Sequence, residues 1–126
     1  MTSLVERRRL ERFHVPNTQV LYKQEVLFND QLPFEGKGDL VDLTVKGVRF
    51  ESDHILSSGA TLNIEINVPN EDPIFLIGNV VWTKKLDKNG IVNSVVEFIE
   101  FDDEPGFNSY KSLEQLEALQ EQYSSK

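Results

Sequence analysis

The chain has no cysteine, which excludes disulfide bridges, thiolate metal ligands and thiol nucleophiles together. Histidine is scarce as well. His14 and His54 are the only two, so a zinc site, which draws on several nitrogen or sulfur ligands, is not expected. No long apolar run exists. The best candidate, PIFLIGNVVW (73–82), is interrupted by Gly78 and Asn79 and falls far short of the ~20 residues that span a bilayer as a helix. The N-terminus also lacks the apolar core of a secretory signal. No membrane association is therefore expected, and a cysteine-free chain suits the reducing cytoplasm. Basic residues are outnumbered, thirteen Lys and Arg against twenty-one Asp and Glu, for a formal net charge of -8. Gripping long nucleic acid needs a broad basic face, so no such partner is expected. Signatures of catalysis are missing too. There is no G-x-S-x-G elbow and no Ser-His-Asp order, and GKGDL (36–40) lacks the phosphate-loop spacing. An enzyme is not expected.

Against this acidic background one segment stands out. ERRRLERF (6–13) carries Arg7, Arg8, Arg9 and Arg12 against Glu6 and Glu11, a local charge of +2, while the remaining nine basic and nineteen acidic side chains leave the rest of the chain at -10. A compact arginine cluster on an acidic protein suits a small anionic ligand. A solvated tail is the bland alternative.

The chain's 126 residues suit one domain able to bury a core without staples. Residues 1–13 read as a flexible basic leader, since Pro16 discourages a long helix from running on. Residues 14–103 then follow β-type patterning. Strands are expected at 18–28, with Val20, Tyr22, Val26 and Phe28 on one face, and at 37–44, 47–52 and 61–68. In the last of these, Leu62, Ile64, Ile66 and Val68 alternate with polar neighbours. Residues 29–36 read as a loop. A long, largely buried strand is expected at 74–86, with a bulge near Gly78. An Asn-Gly turn at 87–90 leads to a last strand at 91–101. Short strands at this spacing make a mainly β fold, a small barrel or a sandwich. Residues 104–126 differ. Phe107, Tyr110, Leu113, Leu116, Leu119 and Tyr123 fall at helical spacing behind an N-cap at Asn108 or Ser109, as in a helix docked on the β structure.

DLVDLTVKG (39–47) supplies a second cluster. Strand alternation sends Asp42 and Thr44 to one face and Val41, Leu43 and Val45 to the other, so a carboxylate and a hydroxyl stand side by side outside the core. Gly47 permits a positive φ or a close backbone approach. Turn chemistry is the plain alternative for all three. His54, between Glu51, Asp53 and a short loop, reads as a loop histidine. Glu97, between Val96 and Phe98, reads as solvent-facing or paired with a base rather than as an acid catalyst. Trp82 reads as a core or rim residue that could also contact a ligand.

The two clusters together resemble the PilZ family. RRLER (8–12) matches its RxxxR signature through Arg8 and Arg12, and DLTVKG (42–47) is similar to [D/N]xSxxG through Asp42, Thr44 and Gly47. GNVVW (78–82), VVEF (95–98) and the terminal helix also resemble the family, so the likeness spans roughly residues 6–123. Threonine stands at 44 where the family usually has serine. It keeps the hydroxyl but adds a methyl that restricts χ1. The resemblance implies a six-stranded antiparallel β-barrel with a C-terminal α-helix that binds the bacterial second messenger cyclic di-GMP as its ligand and uses no cofactor. On that reading the arginines contact phosphate oxygens or the O6/N7 edge of guanine. Asp42 accepts from guanine N1–H and N2–H, Thr44 bonds a nearby polar edge, and Gly47 lets the backbone approach. Arg7, just before the first signature arginine, suits a stacked pair of ligands. The leader would fold over the Asp42–Thr44 face when ligand binds, and a downstream effector protein would receive the signal. A PilZ-like protein–protein adaptor that binds no nucleotide is the alternative.

Overall fold

The computed structural model describes residues 11–24, 34–86 and 90–124. Six antiparallel strands form a closed barrel: β1 (Gln19–Gln24), β2 (Phe34–Leu43), β3 (Gly47–Ser52), β4 (Thr61–Asn67), β5 (Ile74–Lys85) and β6 (Val92–Phe98). Their order around the barrel is β1-β2-β3-β6-β5-β4, and β1 pairs with β4 to close the ring. One helix, α1 (Tyr110–Tyr123), follows. The barrel is thus the outcome of the two all-β architectures that patterning alone left open.

The core follows from alternation. Val20, Tyr22, Phe50, Leu62, Ile64, Ile66, Ile74, Leu76, Val80 and Val96 all point inward and are buried. Val26 and Phe28 lie outside the described residues, as do Asp87, Lys88 and Asn89 of the expected turn; Gly90 has the left-handed φ of +83° that such a turn requires.

Three expectations need correction. Residues 34–36 belong to β2, in register with β1 through Gln24↔Phe34 and Tyr22↔Gly36, not to a loop. The apolar alternation is missing there because Gly36 and Gly38 occupy the inward positions. A Cβ at Gly36 would strike the Tyr22 ring, and one at Gly38 the Glu51 backbone and the Phe50 ring. The bulge in β5 is at Val81, between Val80 and Trp82, while Gly78 pairs regularly with both Leu62 and Phe98. Nor is β5 largely buried. Phe75, Val81 and Trp82 face outward and are exposed, because the barrel has only one interior and alternate residues must leave it.

Helix α1 is rich in Leu, Glu and Gln, all good helix formers. Ser109 caps it, its hydroxyl accepting from Ser112 N at 3.2 Å. Leu116 and Leu119 enter the barrel's hydrophobic cluster, with Leu113 and Tyr123 packed at its margin. Burying each leucine contributes about 1.5–3 kcal/mol. Phe107 and Tyr110, expected on that stripe, are exposed. They precede the docking turn, where the contact is polar instead. Asn108, the other cap candidate, is buried and ties the helix entrance to the barrel. Its amide donates to the carbonyls of Ile77 and Ile99 and accepts from Ile77 N.

Candidate functional site

The β2–β3 hairpin builds the site. β2 carries a bulge at Val41, between Leu40 and Asp42. Leu40 and Leu43 are both buried, so the extra residue puts Val41 on neither clean face; it does not enter the core as strict alternation expects. Asp42 and Thr44 leave the core as expected. Beyond the bulge the register runs Asp42↔Arg49 and Leu43↔Val48. Arg49 Nη2 donates to Asp42 Oδ2 at 2.8 Å. The buried Arg49 Nε has no hydrogen-bond partner among the described residues.

Thr44 closes the turn. Its Oγ1 accepts from the backbone N–H of Lys46 and of Gly47, each at 3.0 Å, while its own N–H donates to the Gly47 carbonyl at 2.9 Å. The hydroxyl is thus a turn acceptor that keeps its proton for another partner. Serine would make the same bonds. Gly47 is needed for close approach rather than for a positive φ. A Cβ there would meet the Val96 carbonyl oxygen at 2.5 Å across the β3–β6 pairing.

A two-bond splice brings the basic segment to this hairpin. Phe13 forms an isolated antiparallel bridge with Leu43, with Phe13 N donating to Leu43 O at 3.0 Å and Leu43 N to Phe13 O at 2.8 Å. The Phe13 side chain is buried in the core and His14 Nδ1 hydrogen-bonds the Val41 carbonyl at 2.9 Å. Arg12, exposed, therefore stands next to a residue bonded to the strand that carries Asp42. Arg7 and Arg8 lie outside the described residues.

Arg12, Asp42, Thr44 and Gly47 share one cleft of about 420 Å³, together with Lys46, Arg49, Val81, Trp82, Val95 and Glu97. Its described charges are three cations and two carboxylates, an excess of positive charge on a chain of net charge -8. A larger groove of about 1060 Å³ is lined by β1, β2, β4, β5 and the start of α1. Its lining holds Lys23 and Lys111 against Glu35, Glu65 and Asp72, the wrong balance for an anion. The smaller cleft is the better candidate despite its size. Sequence reading did not place Arg49 and Lys46 at this cleft, while Glu97, read there as solvent-facing or paired with a base, is exposed and lines it. A signal for Arg49 was available, since a hairpin centred between Val45 and Lys46 pairs position 42 with 49. Among the described residues no group of three or more His, Asp or Glu could hold a metal ion, and no helix is long and apolar enough to cross a membrane.

Fold and cleft together define a small helix-capped β-barrel domain with a cationic cleft at the β2–β3 turn. Residues 6–116 match the family model described as PilZ domain, and the chain belongs to the PilZ family. Domains of this family act as receptors and adaptors rather than as enzymes. The fold is similar to that of a solved structure, the PilZ domain with c-di-GMP of YcgR from Escherichia coli, at a TM-score of 0.63 and 16% identity over 92% of this chain and 90% of that one. No curated protein matches the chain in sequence.

Proposed function

We propose that this chain is a receptor domain for cyclic di-GMP, with Arg7, Arg8, Arg12, Asp42, Thr44 and Gly47 at the ligand. The observation that carries the reading is the Phe13–Leu43 splice, which seats Arg12 in the same cleft as Asp42, Thr44 and Gly47. The structural neighbour in complex with that nucleotide supports it.

The chemistry follows from the residues. Guanidinium groups form paired, charge-assisted bonds to phosphate or to guanine O6/N7 and stack on bases. Asp42 keeps one carboxylate oxygen outside its bond to Arg49 for guanine donors. The Thr44 proton is available to a phosphate or carbonyl oxygen, and the half-exposed Trp82 offers a flat face for a base. Arg7 supplies the additional charge that a second, stacked nucleotide would need. No cofactor takes part. A cytoplasmic setting, where this second messenger is made and read, fits the absence of cysteine.

Calorimetric titration tests the reading. The folded protein is expected to give saturable heat with cyclic di-GMP, and Arg12→Ala to weaken binding about tenfold to a hundredfold, the equivalent of one charge-assisted bond, with the melting temperature unchanged. No heat at tens of micromolar from a protein folded by circular dichroism ends the proposal. A second reading, an adaptor that binds a protein and no nucleotide, is favoured by the groove beside α1, where Phe75 and Phe107 are exposed. The same silent titration, joined to capture of one partner with and without nucleotide, would establish that alternative.

A further inference from the structure

We propose that Glu97 is a specificity-determining residue of the cleft, accepting hydrogen bonds from the Watson–Crick edge of one guanine while Asp42 serves the other. The inference rests on the cyclic di-GMP reading and goes beyond its two signature motifs.

Three observations carry it. First, the cleft holds two carboxylates and they are not equivalent. Asp42 has one oxygen bonded to Arg49 at 2.8 Å and a side chain only 19% exposed. Glu97 is exposed, lines the same cleft, and its side chain makes no hydrogen bond or ion pair with any described residue. Among the described residues it is the cleft carboxylate with neither oxygen bonded. Second, its position is open on the side that matters. Glu97 is the Cα partner of Gly47 in the β3–β6 pairing. A direct cross-strand neighbour normally crowds its partner's Cβ at about 4.5–5.5 Å. Here glycine places no side chain beside Glu97, and Thr44 and Lys46, close to Gly47 in sequence, line the same cleft. Third, the charge pattern selects the ligand's donor-bearing part. A free carboxylate beside Arg12, Lys46 and Arg49 repels phosphate and weakens a site built only for anions. It gains where the ligand presents two adjacent N–H donors, as guanine does at N1 and N2. Adenine places the unprotonated N1 at that edge, whose lone pair opposes a carboxylate oxygen. Hypoxanthine keeps N1–H and lacks the N2 amino group.

Glu97 lies on a strand surface outside the core, so Glu97→Gln and Glu97→Ala are expected to leave the barrel folded, checked by circular dichroism. Wild type and both variants are titrated with cyclic di-GMP, cyclic di-IMP and cyclic di-AMP. Wild type is expected to prefer cyclic di-GMP to cyclic di-IMP and to discriminate most against cyclic di-AMP. Both variants are expected to lose about tenfold to a hundredfold in affinity for cyclic di-GMP, the value of a charge-assisted bond, and to bind cyclic di-IMP with a smaller loss. The ratio between the two ligands therefore shrinks. Glu97→Gln, whose amide matches the N1/N6 edge of adenine, is expected to bind cyclic di-AMP better than Glu97→Ala does. If wild type binds cyclic di-GMP and the variants bind it equally well or more tightly, with ligand ratios unchanged, Glu97 is only a counter-charge to the arginines and this inference alone is overturned. A folded wild type silent towards cyclic di-GMP overturns both this inference and the receptor reading beneath it.

Discussion

Replacing Arg49 by Ala and Asp42 by Asn, singly and together, asks whether their ion pair holds the base of the cleft. The residues are Cα partners across the β2–β3 hairpin and meet at 2.8 Å between Nη2 and Oδ2. Their side chains are 32% and 19% exposed. The pair is therefore more enclosed than a surface bridge, which contributes about 0–1 kcal/mol. It is less enclosed than a buried pair, whose breaking costs about 3–5 kcal/mol. An intermediate cost of about 2 kcal/mol is expected for Arg49→Ala, because it strands a mostly covered carboxylate. Asp42→Asn keeps an acceptor for the guanidinium and should cost about 1 kcal/mol. With an unfolding entropy of about 2.1 cal/mol/K per residue, 2 kcal/mol lowers the melting midpoint of a chain this long by roughly 8 °C. The double variant should cost no more than Arg49→Ala alone, giving a coupling energy of about 1 kcal/mol. Urea unfolding followed by circular dichroism measures all four proteins. Salt should reduce the coupling only in part, since enclosed pairs are poorly screened. Costs that add within about 0.3 kcal/mol would refute the claim that the pair acts as a unit.

Further expectations concern the same corner of the barrel and its far end. Thr44→Ser should leave the stability within about 0.5 kcal/mol of wild type, whereas Thr44→Val removes the acceptor of two turn bonds and should cost about 1–2 kcal/mol; faster amide exchange at Lys46 and Gly47 would accompany it. Gly47→Ala drives a methyl group into the Val96 carbonyl, so it should cost about 1–3 kcal/mol and weaken ligand binding as β3 shifts from β6, measured by melting and titration. Tyr22 has its pKa raised above the ordinary 10.0, chiefly by burial, with a Ser52 hydrogen bond opposing and the Asp53 charge adding to the shift. Its neutral form is favoured in the fold, so the stability it contributes is complete below about pH 10 and is lost as pH rises through the folded value. Unfolding midpoints of wild type should fall over that range more steeply than those of Tyr22→Phe.

Much of this was legible in the sequence because the signals were local. Leu62, Ile64, Ile66 and Val68 announce β4 by simple alternation, and Ser109 announces a helix start by its chemistry. DLTVKG could be placed beside an arginine-rich segment through a family likeness, although the splice that joins them is main-chain pairing between Phe13 and Leu43, which no side-chain pattern encodes. What stayed hidden was set by partners distant in sequence. The start of β2 was obscured because its inward positions are glycines making room for Tyr22 and Phe50. The bulges at Val41 and Val81 depend on strand pairing, which decides where an extra residue fits. Arg49 and Glu97 reach the cleft because β3 lies between β2 and β6, an adjacency that follows from barrel closure. Phe107 and Tyr110 had the right spacing for a buried stripe, but the docking contact at that turn is made by Asn108 and Ser112.

The pairing of β3 with β6 also bears on how the molecule comes into being. One wall of the cleft is synthesised early, with Arg12, Asp42 and Thr44, and the other late, with Val95 and Glu97 on β6. A nascent chain on the ribosome cannot own the complete cleft until β6 has emerged, and such long-range closure is a slow kind of folding. A ligand that needs both walls would therefore ignore copies whose β6 has not yet paired with β3.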